Sequence, residues 1–88
     1  MTEVVMPKWG VTMEEGLLRE WLKQSGDRVV EGEPLFVAET DKAEGEVESP
    51  GGGVLGEILV AAGVTVPTGT LLARLYSAEE WRGRGGAS

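Results

Sequence analysis

The chain contains one unit written twice. Displaced by 37 positions, residues 16–39 align without a gap on residues 53–76, and eight of the twenty-four positions are identical. Gly16-Leu17-Leu18-Arg19-Glu20-Trp21-Leu22 faces Gly53-Val54-Leu55-Gly56-Glu57-Ile58-Leu59. Gly26 faces Gly63, Val29 faces Val66, Gly32 faces Gly69 and Leu35 faces Leu72. The matches fall on glycines and aliphatics, the positions that set backbone geometry and core packing. Met6-Pro7 and Ser49-Pro50 precede the two copies, with nine positions from Pro7 to Gly16 and three from Pro50 to Gly53. The six-residue excess marks a loop within residues 8–15.

Two copies are too few for a solenoid, which needs at least three to bury a continuous core. A pair of half-domains sharing one core about a pseudo-two-fold axis fits better. Leu17, Leu18, Trp21 and Leu22 have the spacing of an amphipathic helix, as do Val54, Leu55, Ile58 and Leu59. Gly16, Gly56 and the run Gly51-Gly52-Gly53 oppose that reading, because glycine is costly inside a helix. The runs at residues 4–6, 34–39, 44–48 and 71–76 are short, with turn residues between them. Regular short strands with such punctuation predict an all-β sandwich or barrel.

Composition removes several functions. The 88 residues make one domain and include no cysteine and no histidine. A thiolate metal site, a disulfide framework and an imidazole-activated nucleophile are therefore all absent, and an autonomous enzyme lacks its acid–base pair. The net charge of −7 opposes nucleic-acid binding, which needs clustered Lys and Arg. No apolar run is long enough to span a bilayer, and no charged-then-apolar leader precedes Val4-Val5-Met6. The expectation is a soluble, monomeric, cytoplasmic domain over residues 1–77. Residues 78–88 are expected to be a flexible tail or the start of a linker, with one possible helical turn before Gly83.

Between the copies, Lys42 stands among Glu39, Asp41, Glu44, Glu46 and Glu48. With residues 35–39 and 44–48 as strands, Thr40-Asp41-Lys42-Ala43 is the reversal between them and Lys42 sits at the apex. Asp41 suits the turn because its carboxylate can accept from nearby backbone amides. Neighbouring carboxylates favour the ammonium form of a lysine, whereas a Schiff-base lysine needs the opposite environment. Taken alone, Lys42 reads as a solvated surface residue, placed to be reached rather than to react. Glu44, Glu46 and Glu48 read as a solvated strand face alternating with Gly45 and Val47.

Glu39-Thr40-Asp41-Lys42-Ala43 resembles the attachment motif of the lipoyl domain family, the swinging-arm carriers of 2-oxo acid dehydrogenase complexes. The resemblance runs over roughly residues 4–76 and includes Met6-Pro7, Met13-Glu14-Glu15-Gly16, Glu20-Trp21-Leu22, Gly26-Asp27 and Glu48-Ser49-Pro50. It implies a flattened barrel of two four-stranded antiparallel sheets, with lipoic acid in amide linkage on Lys42. It implies that Glu39, Asp41 and Ala43 serve recognition by the lipoate-attaching enzyme, with Gly26 and Gly53 helping to set turn geometry. The implied partners are a thiamine-dependent 2-oxo acid (or acetoin-type) dehydrogenase that acylates the arm, and a dihydrolipoamide acyltransferase that passes the acyl group to coenzyme A. Dihydrolipoamide dehydrogenase would then reoxidise the arm. The loop at residues 8–15 is implied to lie near the lysine. There Trp9, Val11 and Met13 either dock partners or pack on the barrel rim, and Thr12 and Glu44 complete the implied docking set. The related biotinyl domain usually brackets its lysine with methionines, whereas here the neighbours are Asp41 and Ala43. An unmodified interaction module of the same fold would not need this motif.

Overall fold

Short apolar runs between glycine turns become eight strands and one helix in the computed structural model, which describes residues 1–83. In chain order these are β1 (Thr2–Val5), β2 (Glu15–Trp21), β3 (Arg28–Val29), β4 (Pro34–Glu39), β5 (Glu44–Glu48), β6 (Gly53–Ile58), β7 (Val64–Pro67), β8 (Leu71–Tyr76) and α1 (Ala78–Gly83). The strands pair antiparallel into two four-stranded sheets, β1-β8-β6-β3 and β5-β4-β2-β7. This is the expected architecture, and its symmetry is that of the repeat. Matching β1 to β5, β8 to β4, β6 to β2 and β3 to β7 converts one sheet order into the other.

Each sheet takes two strands from each half of the chain. Hydrogen bonds at the turns repeat the exchange. The amide of Gly26 donates to Leu55 O and that of Gly63 donates to Leu18 O, both at 2.7 Å. Met6 donates to Thr70 O at 3.0 Å, and its mate Ser49 donates to Glu33 O at 2.8 Å. The turn glycines have matching backbones, with φ of 95° at Gly26 against 93° at Gly63. These values lie in the left-handed region that glycine enters without penalty. The mates Leu18 and Leu55, Leu35 and Leu72, and Val29 and Val66 are all buried in one core, joined by Met6, Phe36 and Leu75.

A β-bulge in each half explains the helix-like spacing in the sequence. Leu18 pairs with Ala38 but Glu20 pairs with Val37, so Arg19 is the extra residue of β2. In β6 the register slips between Leu55 and Ile58. A bulge resets the two-residue alternation of a strand. Leu18 and Trp21, three apart, therefore both face the core, as do Leu55 and Ile58. At the second bulge a Cβ on Gly56 would lie 2.3 Å from a Tyr76 ring carbon. The ring thus rests directly on backbone.

Tracing the strands fixes the two ends of the molecule. Leu17 pairs with Glu39 near the lysine turn, and Gly16 beside it abuts Met6 at the end of β1. The other end of β1 pairs Thr2 with Leu75. The Lys42 hairpin and the start of β1 therefore lie at opposite ends. At the far end, α1 is more ordered than a free tail. Ser77 and Glu80 form a capping box, with Glu80 N–H donating to Ser77 Oγ at 3.0 Å and Ser77 N–H donating to Glu80 Oε1 at 2.8 Å. Glu80 Oε2 also accepts from the Met1 ammonium at 3.1 Å, and Trp81 stacks at 5.9 Å on Tyr76. The rest of the tail expected to be flexible, residues 84–88, lies outside the described residues.

Two measurements test this account. Gly56→Ala must displace the Tyr76 ring and is expected to destabilise the fold by about 1–3 kcal/mol in urea unfolding, the usual cost of overpacking. Gly45→Ala, whose Cβ would meet nothing closer than 3.9 Å, should fall within about 0.5 kcal/mol of the parent. The Ser77 amide and the Met1 ammonium hold the Glu80 carboxyl below its ordinary range. A depressed folded value means that this contribution is complete above the free value of about 4.3 and is lost as pH falls through the folded one. In an acid titration followed by NMR, amides of residues 77–83 should lose dispersion before those of Leu18 and Leu55.

Candidate functional site: the Lys42 hairpin

Strands β4 and β5 carry the site. Their ladder runs from Pro34 opposite Glu48 to Glu39 opposite Glu44, and Thr40-Asp41-Lys42-Ala43 closes it. Two-residue hairpins favour turns with positive φ, usually supplied by Gly or Asn. Here no non-glycine residue has positive φ among those described, and the turn contains no glycine. Thr40 supplies the closure instead. Its amide donates to Ala43 O at 2.7 Å, and its Oγ1 accepts from the amides of Ala43 at 3.0 Å and Lys42 at 3.3 Å. The bonds to the turn amides that Asp41 was expected to accept are made by the Thr40 hydroxyl, because it comes one residue earlier and folds over the apex.

Lys42 is exposed at that apex, and among the described residues it makes no ion pair. The nearby cation that does pair is Arg19, whose Nη1 lies 3.7 Å from Glu39 Oε1 and also contacts Glu44 Oε2. Glu44, Glu46 and Glu48 are exposed while Gly45 and Val47 are half-buried, as the alternation predicted.

The loop between β1 and β2 reaches this tip. Trp9, Gly10, Thr12 and Met13 line a cleft of about 280 Å³ together with Thr40, Asp41, Lys42 and Ala43. Trp9 keeps 42% of its surface exposed, and its ring edge lies 3.9 Å from where a Gly45 Cβ would stand. Met13 turns inward against Gly16, and Met13 Sδ accepts from the Trp9 amide at 3.2 Å. Val11, at 91% exposure, touches little. Trp9 and Met13 thus pack in part on the rim, while Val11 and Thr12 stand free. A wider groove of about 560 Å³ on the adjoining side is lined by Glu14, Glu15, Glu39, Thr40 and Asp41 among others. The structure therefore brings together Glu39, Asp41, Lys42, Ala43, Glu44, Trp9, Thr12 and Met13.

Gly26 and Gly53 belong to the other end of the barrel. Gly53, with φ of 147°, lies against Tyr76 O, which a Cβ would approach to 2.3 Å. Gly26 leads into β3, which pairs with Val54 and Gly53. These glycines shape turns remote from Lys42. Three residues of the site escaped the sequence reading. Thr40 was detectable, since Ser and Thr commonly bond their own turns. Arg19 depends on the bulge and Gly45 on a contact across the chain, and neither leaves a local signal.

Lys42, exposed at the apex and outside any ion pair among the described residues, can accept an acyl group in amide linkage. The chain's relatives agree with such a site. Residues 2–75 match the biotin/lipoyl family, described as "Biotin-requiring enzyme". The chain is 42% identical over 76 residues to the dihydrolipoyllysine-residue acetyltransferase component of the acetoin cleaving system of Pseudomonas putida, covering 86% of this chain and 20% of that protein. It is 45% identical over 75 residues to the pyruvate dehydrogenase E1 component subunit beta of Rhizobium meliloti, covering 80% and 16%. The chain thus spans no more than about a fifth of these relatives' length. The solution structure of the lipoyl domain of the 2-oxoglutarate dehydrogenase complex from Azotobacter vinelandii superposes with a TM-score of 0.72 at 31% identity, covering 88% of this chain and 98% of that one. The chain belongs to the biotin/lipoyl attachment family and is a lipoyl domain.

Proposed function

We propose that Lys42 carries lipoic acid in amide linkage and that the domain serves as the acyl carrier of a 2-oxo acid (or acetoin-type) dehydrogenase complex, within an acyltransferase chain. The observation that carries this reading is the unpaired amine of Lys42 at a glycine-free apex inside Glu39-Thr40-Asp41-Lys42-Ala43. Asp41 and Ala43 in place of flanking methionines favour lipoate over biotin. When bound, the dithiolane supplies acyl transfer and thiol–disulfide exchange.

The protein's own part is presentation. Amide formation removes the charge of Lys42 and lengthens its side chain, while the hydroxyl of Thr40 keeps the apex in one shape. Glu39, Asp41 and Ala43 face the lipoate-attaching enzyme. Trp9, Val11, Thr12, Met13 and Glu44 form the surface met by the thiamine-dependent dehydrogenase. The acyltransferase catalytic domain and dihydrolipoamide dehydrogenase complete the set of partners. Tethering such a carrier to its partners raises its effective concentration at each active site, so weak docking suffices.

Intact mass spectrometry after incubation with a lipoate-attaching enzyme, ATP and lipoate is expected to show one lipoyl increment, absent from Lys42→Ala. No increment, or one that survives the substitution, would refute the reading, and a biotin increment with a biotin-attaching enzyme would replace it. Thr40→Val keeps the volume and β-branching but loses the hydroxyl. It is expected to slow modification about fivefold, the scale set by losing about 1 kcal/mol of turn hydrogen bonding, with unfolding stability in urea lowered by no more than that amount. Thr40→Ser should restore the rate, and a Thr40→Val rate equal to the parent's would remove Thr40 from the account.

A further inference from the structure

Five carboxylates flank Lys42 in the sequence, yet among the described residues its ammonium pairs with none of them. Arg19 takes that place, holding Glu39 and Glu44 together. These two are the last cross-strand pair before the turn, and like charges set directly opposite each other destabilise a sheet. Without Arg19, the cation best placed to relieve them is Lys42, three residues from Glu39 and two from Glu44. A single guanidinium nitrogen, Arg19 Nη1, reaches both carboxylates, and a guanidinium stays charged at any working pH. Arg19 reaches them because it is the extra residue of the β2 bulge, and bulges re-aim side chains. The symmetry-related half provides a comparison. There the mate of Arg19 is Gly56 and the mate of Glu39 is Tyr76, so where the repeat has no hairpin lysine the ionic contact is replaced by a ring on backbone.

We infer that Arg19 is a positioning residue for the Lys42 amine: by occupying Glu39 and Glu44 it prevents them from capturing the ammonium and leaves the nitrogen free for acylation. The inference deepens the proposed modification of Lys42 and takes its purpose from it. The chemistry concerned is general to activated acyl donors. The free amine nitrogen attacks the acyl carbon, the N–C bond forms, the activating group departs, and the proton lost from nitrogen passes to solvent. An ammonium held by a carboxylate must first break that pair.

Competitive labelling with the N-hydroxysuccinimide ester of acetic acid tests this, with acetylation of Lys42 read by peptide mass spectrometry against the exposed Lys8. Arg19→Leu is expected to lower the Lys42-to-Lys8 labelling ratio about threefold, the scale of one exposed ion pair. Glu44→Gln alone should change it little, because Arg19 already holds that carboxylate, yet in the Arg19→Leu background it should return the ratio toward the parent's. Arg19 and Glu44 are both exposed, and matching urea midpoints for the variants establish that folding is kept. An unchanged ratio in Arg19→Leu overturns the inference, as does an effect of Glu44→Gln equal in both backgrounds. The reagent contains no lipoyl group, so a negative result here leaves the proposed lipoylation to be decided by the mass measurement.

Discussion

The structure depends on an exchange of strands. Each half of the repeat lends two strands to each sheet, so neither half owns a sheet in which its backbone groups could be satisfied. Unpaired buried amides and carbonyls are costly, and a lone hairpin in water is marginal at best. The cross-donations from Gly26 to Leu55 and from Gly63 to Leu18 tie this exchange at its two turns. Both copies must assemble for either to be stable, which makes an 88-residue chain with a modest core fold as one unit. The same exchange places the Lys42 hairpin at one end and the start of β1 at the other.

Symmetry makes the departures from it informative. The bulge, the core leucines and the turn glycines recur, so they belong to the scaffold. What differs is the dressing of the two ends. One has Arg19, Glu39 and Glu44 around a hairpin closed by a threonine, with an elongated loop bringing Trp9 against Gly45. The other has Tyr76 on Gly56, and Trp81 on Tyr76 through a capped helix. One end carries an exposed hairpin beside a charged cluster, whereas the other carries a ring packed on backbone and a second ring against it.

Much of this was legible before any coordinates. The 37-residue displacement predicted the half-domains, and β4 and β8 follow it residue for residue. Glycine punctuation correctly overrode the helical spacing of Leu17, Leu18, Trp21 and Leu22, although the cause of that spacing, a bulge at Arg19, has no signature of its own. The apex position of Lys42 followed from its two flanking strands. The hydrogen bonds that fix it did not, since Asp41 and Thr40 both offer oxygen to a turn and only the three-dimensional path of the chain chooses between them. The contacts of Trp9 with Gly45 and of Arg19 with its two carboxylates join segments twenty or more residues apart in sequence, which no local pattern encodes.

The separation of the two ends has a mechanical consequence. Two sheets about 10 Å apart, each four strands wide at roughly 5 Å spacing, fill the short dimensions, so the 41 Å axis runs along the strands toward the hairpin. The folded body is therefore a strut. A flexible glycine–serine coil would need on the order of 55 residues to match that span as an average, and it would hold the distance only fleetingly. The domain holds it continuously, so any conformational freedom it imparts to a group on Lys42 begins beyond the apex.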